Sequence, residues 1–307
     1  AYRMINSLLL KGLVNQESKT TTTQIALWEE MSIWKVAYKK LRFKKNAGEE
    51  INNAIEKKSN ILHKVYGIDP LNLANRLQKH LFTQTKIDFS KISTIRELDE
   101  LCISVENEAV QLQKQLSKGE FKGNSIEELI KYTIQKMFDD LSNEFSKKSS
   151  NEQDNIVKQI FEILKEMPDD QKEKLQKELN VSELSQQTIR KAITTGSLGI
   201  AFAALVEIAG FSAYIFATKT LAVIAGIIGL TLPFSVYVAL TSFMAFLANP
   251  FVLVLLLTGF LSFITKKSNK KIRNAFLPNL VSQIAISSTI GEPSIDKLNK
   301  LVKFYEV

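Results

Sequence analysis

The chain of 307 residues has one cysteine and two histidines, and this scarcity argues against disulfide and metal chemistry. The lone Cys102 cannot form an internal disulfide, and its place in an apolar helical pattern predicts that it packs in a core. His63 and His80 stand seventeen residues apart, with neither cysteine nor paired carboxylates at metal-ligand spacing. We therefore expect no cofactor and no metal.

The motifs of common enzyme classes are also missing. The sequence has no phosphate-binding loop, no dinucleotide glycine pattern and no Gly-x-Ser-x-Gly elbow. Acidic pairs such as Asp139-Asp140 fall on predicted helices, where they are typical of solvated faces and helix starts. The protein is therefore not expected to be an enzyme. No secretory signal is expected either, because the apolar patch at residues 5–14 is short and is broken by Lys11.

Charge is nearly absent from about a quarter of the chain. Residues 192–265 form a 74-residue block with only two charges, Glu207 and Lys219, whereas the other 233 residues carry 70 of the 72 charges. This unevenness excludes a uniform globular enzyme, a disordered chain and a collagen-like fibre. The sequence therefore joins a region patterned for water to a region patterned for lipid.

The water-patterned region, residues 1–191, has apolar residues at three- and four-residue steps, which predicts helices. Asp69-Pro70 begins one of them, because proline suits a first helical turn. Thr94 with Glu97, and Ser125 with Glu128, have the spacing of capping boxes at the starts of two more.

Shorter helices follow towards the apolar block. A polar linker is predicted at 146–151, with helices over 156–167 and 168–179, and a last helix capped by Ser182. The predicted fold is all-α, an elongated amphipathic helical bundle with a C-terminal hydrophobic membrane-inserting helical hairpin. Its expected regions are a bundle or stalk over 1–150, connecting helices over 151–191, an apolar membrane-inserting region over 192–265, and a basic, amphipathic tail over 266–307.

The length of the charge-free stretch predicts how often it crosses a bilayer. Residues 220–265 contain 46 uncharged residues, whereas one crossing takes roughly 20. Pro233 and Asn249-Pro250 supply breaks, because proline removes a backbone donor and disfavours helix in the residue before it. We therefore predict a membrane-inserting hairpin over 220–265.

The segment before the hairpin, residues 197–218, has an insertion free energy close to zero. Its strong hydrophobes favour insertion by about 2.5–5 kcal/mol, and Glu207 opposes it by about 2.5–3.5 kcal/mol. This helix could cross as a third span, with Glu207 facing a lumen or partner, lie in the interface, or insert only when triggered. Alternatively it never crosses, and Glu207 faces water. Lys219 is twelve residues from Glu207, too far for a direct pair on one helix.

Both edges of the apolar block are basic. The net charge is +8, and residues 266–273 alone contribute +5. Positive charge beside an apolar block favours anionic lipid headgroups over nucleic acid, which is not expected as a partner. The predicted headgroup-binding residues are Arg190, Lys191, Lys266, Lys267, Lys270, Lys271 and Arg273.

These basic edges also predict location. Positive charge tends to stay cytoplasmic, so two basic edges favour an even number of crossings with both soluble parts on the cytoplasmic side. The expected location is a membrane, either the bacterial inner membrane or that of a target cell. A second basic cluster at residues 35–45 is as well explained by a solvated face.

The second half of the chain has a recognisable order of motifs. Leu232-Pro233-Phe234 with Tyr237 is followed by Asn249-Pro250, an apolar run, a Lys-rich turn, and Leu277-Pro278 with Ile284. This order, over about residues 155–285, resembles the bacterial YaaW-like family, although that family has glycine in place of Asn249. The resemblance implies a membrane-associated helical protein and supplies no catalytic residues.

Two functions fit these features. The first is a membrane-inserting α-helical effector of toxin or defence type, which forms a pore or disrupts the membrane and is a homo-oligomer when inserted. The second is a constitutive integral membrane scaffold or adaptor with a cytoplasmic helical domain. The first requires a soluble form that later inserts, whereas the second inserts during synthesis.

Overall fold

Helices make up all the regular structure that the computed structural model describes, which covers residues 5–29, 47–66, 69–227 and 269–306. These residues contain twelve α-helices and one short 3-10 helix, and no strand lies among them. The all-α prediction is therefore confirmed. Most of the predicted hairpin at 220–265 lies outside the described residues.

The chain divides into two compact units. The first comprises Ala1–Leu129 and Leu247–Val307, and the second comprises Ile130–Phe246. The first unit contains α1 Leu8–Asn15, α2 Ser18–Glu29, α3 Ala47–Tyr66, α4 Pro70–Thr85, α5 Ile95–Leu116, α11 Asn269–Ile286, the 3-10 helix Ser287–Ile290 and α12 Ile295–Lys303. The second contains most of α6 Ile126–Phe145, then α7 Ser150–Lys165, α8 Asp169–Leu179, α9 Gln186–Thr194 and α10 Ser197–Ile227.

The predicted helix starts are confirmed where the capping residues are local. Asp69 accepts a hydrogen bond from the Leu71 amide at the start of α4. Thr94 forms a reciprocal capping box with Glu97. The Glu128 amide donates to the Ser125 hydroxyl while the Glu128 carboxylate accepts from the Ser125 amide, so this box also forms.

Two predicted boundaries are wrong. The linker at 146–151 is shorter than expected, because Ser149 forms a capping box with Glu152 and α7 begins at Ser150. Ser182 does not cap the next helix. Ser185 does so instead, with the Thr188 hydroxyl reaching back to its amide in the place that glutamate usually takes.

Helix α1 is fixed at its first residues by two carboxylates of α5. Asp99 accepts hydrogen bonds from the backbone amides of Asn6 and Ser7, at 3.1 and 2.9 Å. One oxygen of Glu106 accepts from the Leu9 amide at 2.6 Å and from the Ser7 hydroxyl at 2.8 Å. These bonds satisfy donors at a helix start that has no intrahelical acceptors.

The described part of the predicted C-terminal tail packs into the first unit. The Tyr305 hydroxyl donates to the Gln78 side chain at 2.7 Å, and the Gln78 amide donates to the Cys102 sulfur at 3.0 Å. The ring centroids of Phe82, Phe89 and Tyr305 lie 5.7–6.3 Å apart. Cys102 is fully buried, which confirms its predicted core position.

An ion cluster joins α2, α3 and α4. Glu29 accepts from Arg76 at 2.5 and 2.8 Å and pairs with His80 Nε2 at 2.8 Å, and Lys58 lies 3.8 Å away. Burial opposes ionisation of Glu29, but the bonds from His80 and Arg76 outweigh it and hold the pKa of Glu29 below its ordinary value. The stabilisation is therefore present above the ordinary pKa and is lost as pH falls through the lowered one.

Replacing Glu29 by glutamine tests the cluster. The substitution leaves Arg76 and Lys58 without their anion and weakens the bond to His80. Because the group is partly exposed, we expect a loss of about 1–2 kcal/mol of unfolding free energy at neutral pH. Urea unfolding followed by circular dichroism measures it. Glu17→Gln changes an exposed residue near the start of the same helix and is the matched control. Equal midpoints for the two variants would contradict the cluster's role.

Candidate membrane-interacting helix

One face of α10 is buried by the other helices of the second unit. The rings of Phe202 and Phe138 stack with centroids 5.3 Å apart. Gly199 lets α6 approach, because a Cβ at this position would lie 2.5 Å from the Cβ of Phe138. Leu198, Ala201 and Leu205 are buried on the same helix. This face is an ordinary packed core.

The opposite side of α10 exposes two large apolar side chains, and its helical spacing also places Glu207 there. Ile200 is 54% exposed and Ile208 is 57% exposed, and the half-buried Ala204 lies between them at four-residue steps. Residues at such spacing share one helical face. A soluble helix normally carries polar residues there, and a helix that is apolar all round belongs in a core or a bilayer.

The turn before α10 is sharp. Gly196 has φ +74°, a left-handed conformation that favours glycine, and α9 and the start of α10 meet at 98°. Among the described residues no single helix is both long and apolar enough for a membrane span. Gln186–Thr194 and Ser197–Val206 together satisfy that criterion by length and composition, as a bent pair.

The predicted insertion residues are only partly placed. Glu207 and Lys219 both lie on α10, but their side chains are outside the described part of the structure. Pro233, Asn249 and Pro250 lie outside the described residues altogether. Their roles in insertion remain predictions.

The predicted headgroup residues fall into three groups. Arg190 is paired with Asp154 and donates to Gln153 at 2.8 Å, and Arg273 lies 5.9 Å from the Trp28 ring centroid and donates to the Trp28 carbonyl. Lys191 is exposed at the end of α9. The others are outside the described residues, Lys266 and Lys267 entirely and Lys270 and Lys271 in their side chains.

The sequence did not single out Ile200 and Ile208. In a helix with almost no polar residues, periodicity does not distinguish the packed face from the open one. The only local signal was Gly199, a small residue that marks a close approach. Only the positions of neighbouring helices decide which isoleucines face outward.

No protein-family model, curated protein or solved structure matches the chain. The resemblance to the YaaW-like family therefore stays a prediction.

Proposed function

We propose that the protein is a membrane-inserting α-helical effector that forms a pore or disrupts the membrane. The observation that supports this most directly is the pair of exposed isoleucines on one side of α10, Ile200 and Ile208. Lipid would cover this face, and covering the exposed half of each side chain would contribute roughly 1 kcal/mol.

The sequence that follows this face strengthens the proposal. α10 reaches Ile227, and from residue 220 to residue 265 no charge interrupts the chain. A bilayer can take up such a stretch as two crossings, with α10 as the helix that leads into it. The exposed Lys191 lies at the edge of the block, where cations attract anionic headgroups.

Dye release from anionic vesicles tests the proposal. The purified chain is fractionated without detergent and then added to vesicles of phosphatidylcholine and phosphatidylglycerol that contain a self-quenching dye. We expect soluble protein that releases the dye, and less release when phosphatidylglycerol is omitted. Protein found only in membranes, with no release from either vesicle, would instead favour the constitutive scaffold.

A paired substitution tests the α10 face itself. Ile208→Asp places a charge on the proposed lipid-facing side, which opposes insertion by about 3 kcal/mol, or about a hundredfold in the protein concentration needed for release. Ile61→Asp on α3 is the matched control, since Ile61 is also exposed, at 47%, but lies outside α10. Similar losses for both variants would contradict an α10-led insertion.

A further inference from the structure

The C-terminal part of helix α11 is buried on all sides although much of it is polar. Every residue from 276 to 288 is buried, a run that covers more than three helical turns. A helix buried on all sides is normally apolar throughout. Here the run contains uncharged polar residues, namely Asn279, Ser282, Gln283, Ser287 and Ser288.

Several of these polar groups have no hydrogen-bond partner among the described residues. They are the Ser282 hydroxyl, both amide atoms of Gln283, and the Ser287 hydroxyl. A buried polar group without a partner costs about 1–3 kcal/mol. These unpaired groups therefore make the packed position of α11 less stable than it would be if they had partners.

The polar residues lie on one stripe of the helix. Their steps of three and four residues place Asn279, Ser282 and Gln283 on one side of α11, and Ser287 continues this stripe into the 3-10 helix. Phe276 and Ile286 lie on the same side near the two ends of the buried run. The other side is apolar and consists of Leu277, Leu280, Val281 and Ile284. α11 therefore has the pattern of a helix with water on one side and apolar neighbours on the other, although both sides are covered here.

The charge pattern around α11 has the length of a membrane crossing. Residues 274–291 are 18 consecutive uncharged residues between Arg273 and Glu292. At 1.5 Å per residue they span about 27 Å as a helix, close to the roughly 30 Å of a hydrocarbon core. The basic residues 270, 271 and 273 lie at one end, where headgroups would be.

We propose that α11 lines the aqueous lumen of the inserted oligomer, with the stripe of Asn279, Ser282 and Gln283 facing water. This inference rests on the proposed pore-forming function and names the helix that carries it. In water the stripe is enclosed, and Ser282 and Gln283 lack side-chain hydrogen-bond partners among the described residues. In the pore it is hydrated, and Leu277, Val281 and Ile284 face lipid or neighbouring helices. A lumen lined by uncharged polar groups passes small ions of either sign.

Cysteine accessibility tests the assignment. The background is Cys102→Ala, which removes a thiol that is fully buried and whose pKa burial raises. Ser282→Cys carries the probe, and Ile284→Cys, two residues away and equally buried, is the matched control. Each protein is treated with a charged methanethiosulfonate reagent, first in water and then bound to vesicles of equal parts phosphatidylcholine and phosphatidylglycerol. Labelling and dye release are both measured.

We expect slow labelling of both thiols in water, since a buried group reacts only through local opening. On vesicles, labelling of Ser282→Cys should rise at least about tenfold and reduce dye release, while Ile284→Cys stays protected. Dye release with a protected Ser282→Cys, or with equal labelling at both positions, overturns the lumen assignment but leaves pore formation in place. If neither the Cys102→Ala parent nor the unmodified chain releases dye from vesicles, both the lumen assignment and the pore-forming function are overturned. If Ser282→Cys alone fails to fold, Ser287→Cys on the same stripe decides.

Discussion

Gly12→Ala should separate α1 from α11 and destabilise the first unit. The two helices are so close that a Cβ at Gly12 would overlap the backbone carbonyl oxygen of Ile284. A carbonyl of a buried helix cannot rotate away as a side chain can, so the whole helix must move. Overpacking of this kind costs about 3 kcal/mol.

Helix propensity acts in the opposite direction, so the sign of the change in stability is informative. Alanine is favoured over glycine inside a helix by about 1 kcal/mol, so an uncrowded Gly12→Ala variant would be stabilised. Crowding outweighs propensity here, and we expect a net loss of about 2 kcal/mol. Hydrogen exchange measures it as faster exchange of the amides of α1 and α11, with those of α7 in the second unit as an internal reference.

The control for Gly12 is the residue before it. Lys11 pairs with Glu292, and their side chains are 14% and 61% exposed, so Lys11→Ala removes a partly exposed ion pair and the packing of the lysine stem. Such pairs contribute about 0–1 kcal/mol. If the amides of α1 and α11 exchange as slowly in the Gly12→Ala variant as in the Lys11→Ala variant, the close packing of Gly12 against Ile284 is contradicted.

Helix starts could be predicted from the sequence where the capping residues are close together in the chain. A capping box needs only two residues at fixed spacing, so the starts of α5 and α6 followed from Thr94 and Ser125. Ser182 is not the cap because several hydroxyls lie close together in this segment, and it is Ser185 that has the extended backbone of a capping residue directly before α9. Spacing identifies a possible cap, but the path of the chain chooses among neighbours.

Burial of polar helices explains what the sequence did not predict. Periodicity places Thr, Ser and Gln on the surface, yet residues 20–24 of α2 and Asn279, Ser282 and Gln283 of α11 are buried. The Ser7–Glu106 bond joins residues 99 apart in the chain, a separation that no sequence window spans. The sequence predicts that this segment belongs to a basic, amphipathic tail. Tertiary packing places the C-terminal part of α11 in the interior instead.

The stability of the first unit should fall as pH rises through about 7, because of Glu106. Burial raises the pKa of Glu106 from 4.5 to about 7, against the hydrogen bonds from Leu9 and Ser7 and with help from the nearby charges of Glu127 and Asp99. The folded protein therefore holds this proton more tightly than the unfolded chain. The stabilisation is fully present below the ordinary pKa and is lost as pH rises through the raised one, by about 3 kcal/mol in all.

Glu106→Gln isolates this effect. The amide oxygen of glutamine can still accept from the Leu9 amide and the Ser7 hydroxyl, but it does not ionise. We expect the variant to lose most of the decline in stability between about pH 5 and pH 8. Unfolding midpoints across that range measure it, and Glu108→Gln, an exposed carboxylate on the same helix, should keep the slope of the unmodified protein.

The same charge should act on α1 before it acts on the whole unit. The donors Leu9 and Ser7 favour the carboxylate of Glu106, but burial opposes its charge more strongly, so an opening of α1 that admits water relieves this cost. α1 also packs on α11 at Gly12. Corrected for intrinsic rates, the amides of α1 should then exchange faster at about pH 8 than at about pH 5, and Glu106→Gln should remove the difference. A pH-dependent α1 that persists in Glu106→Gln would place the titrating group elsewhere.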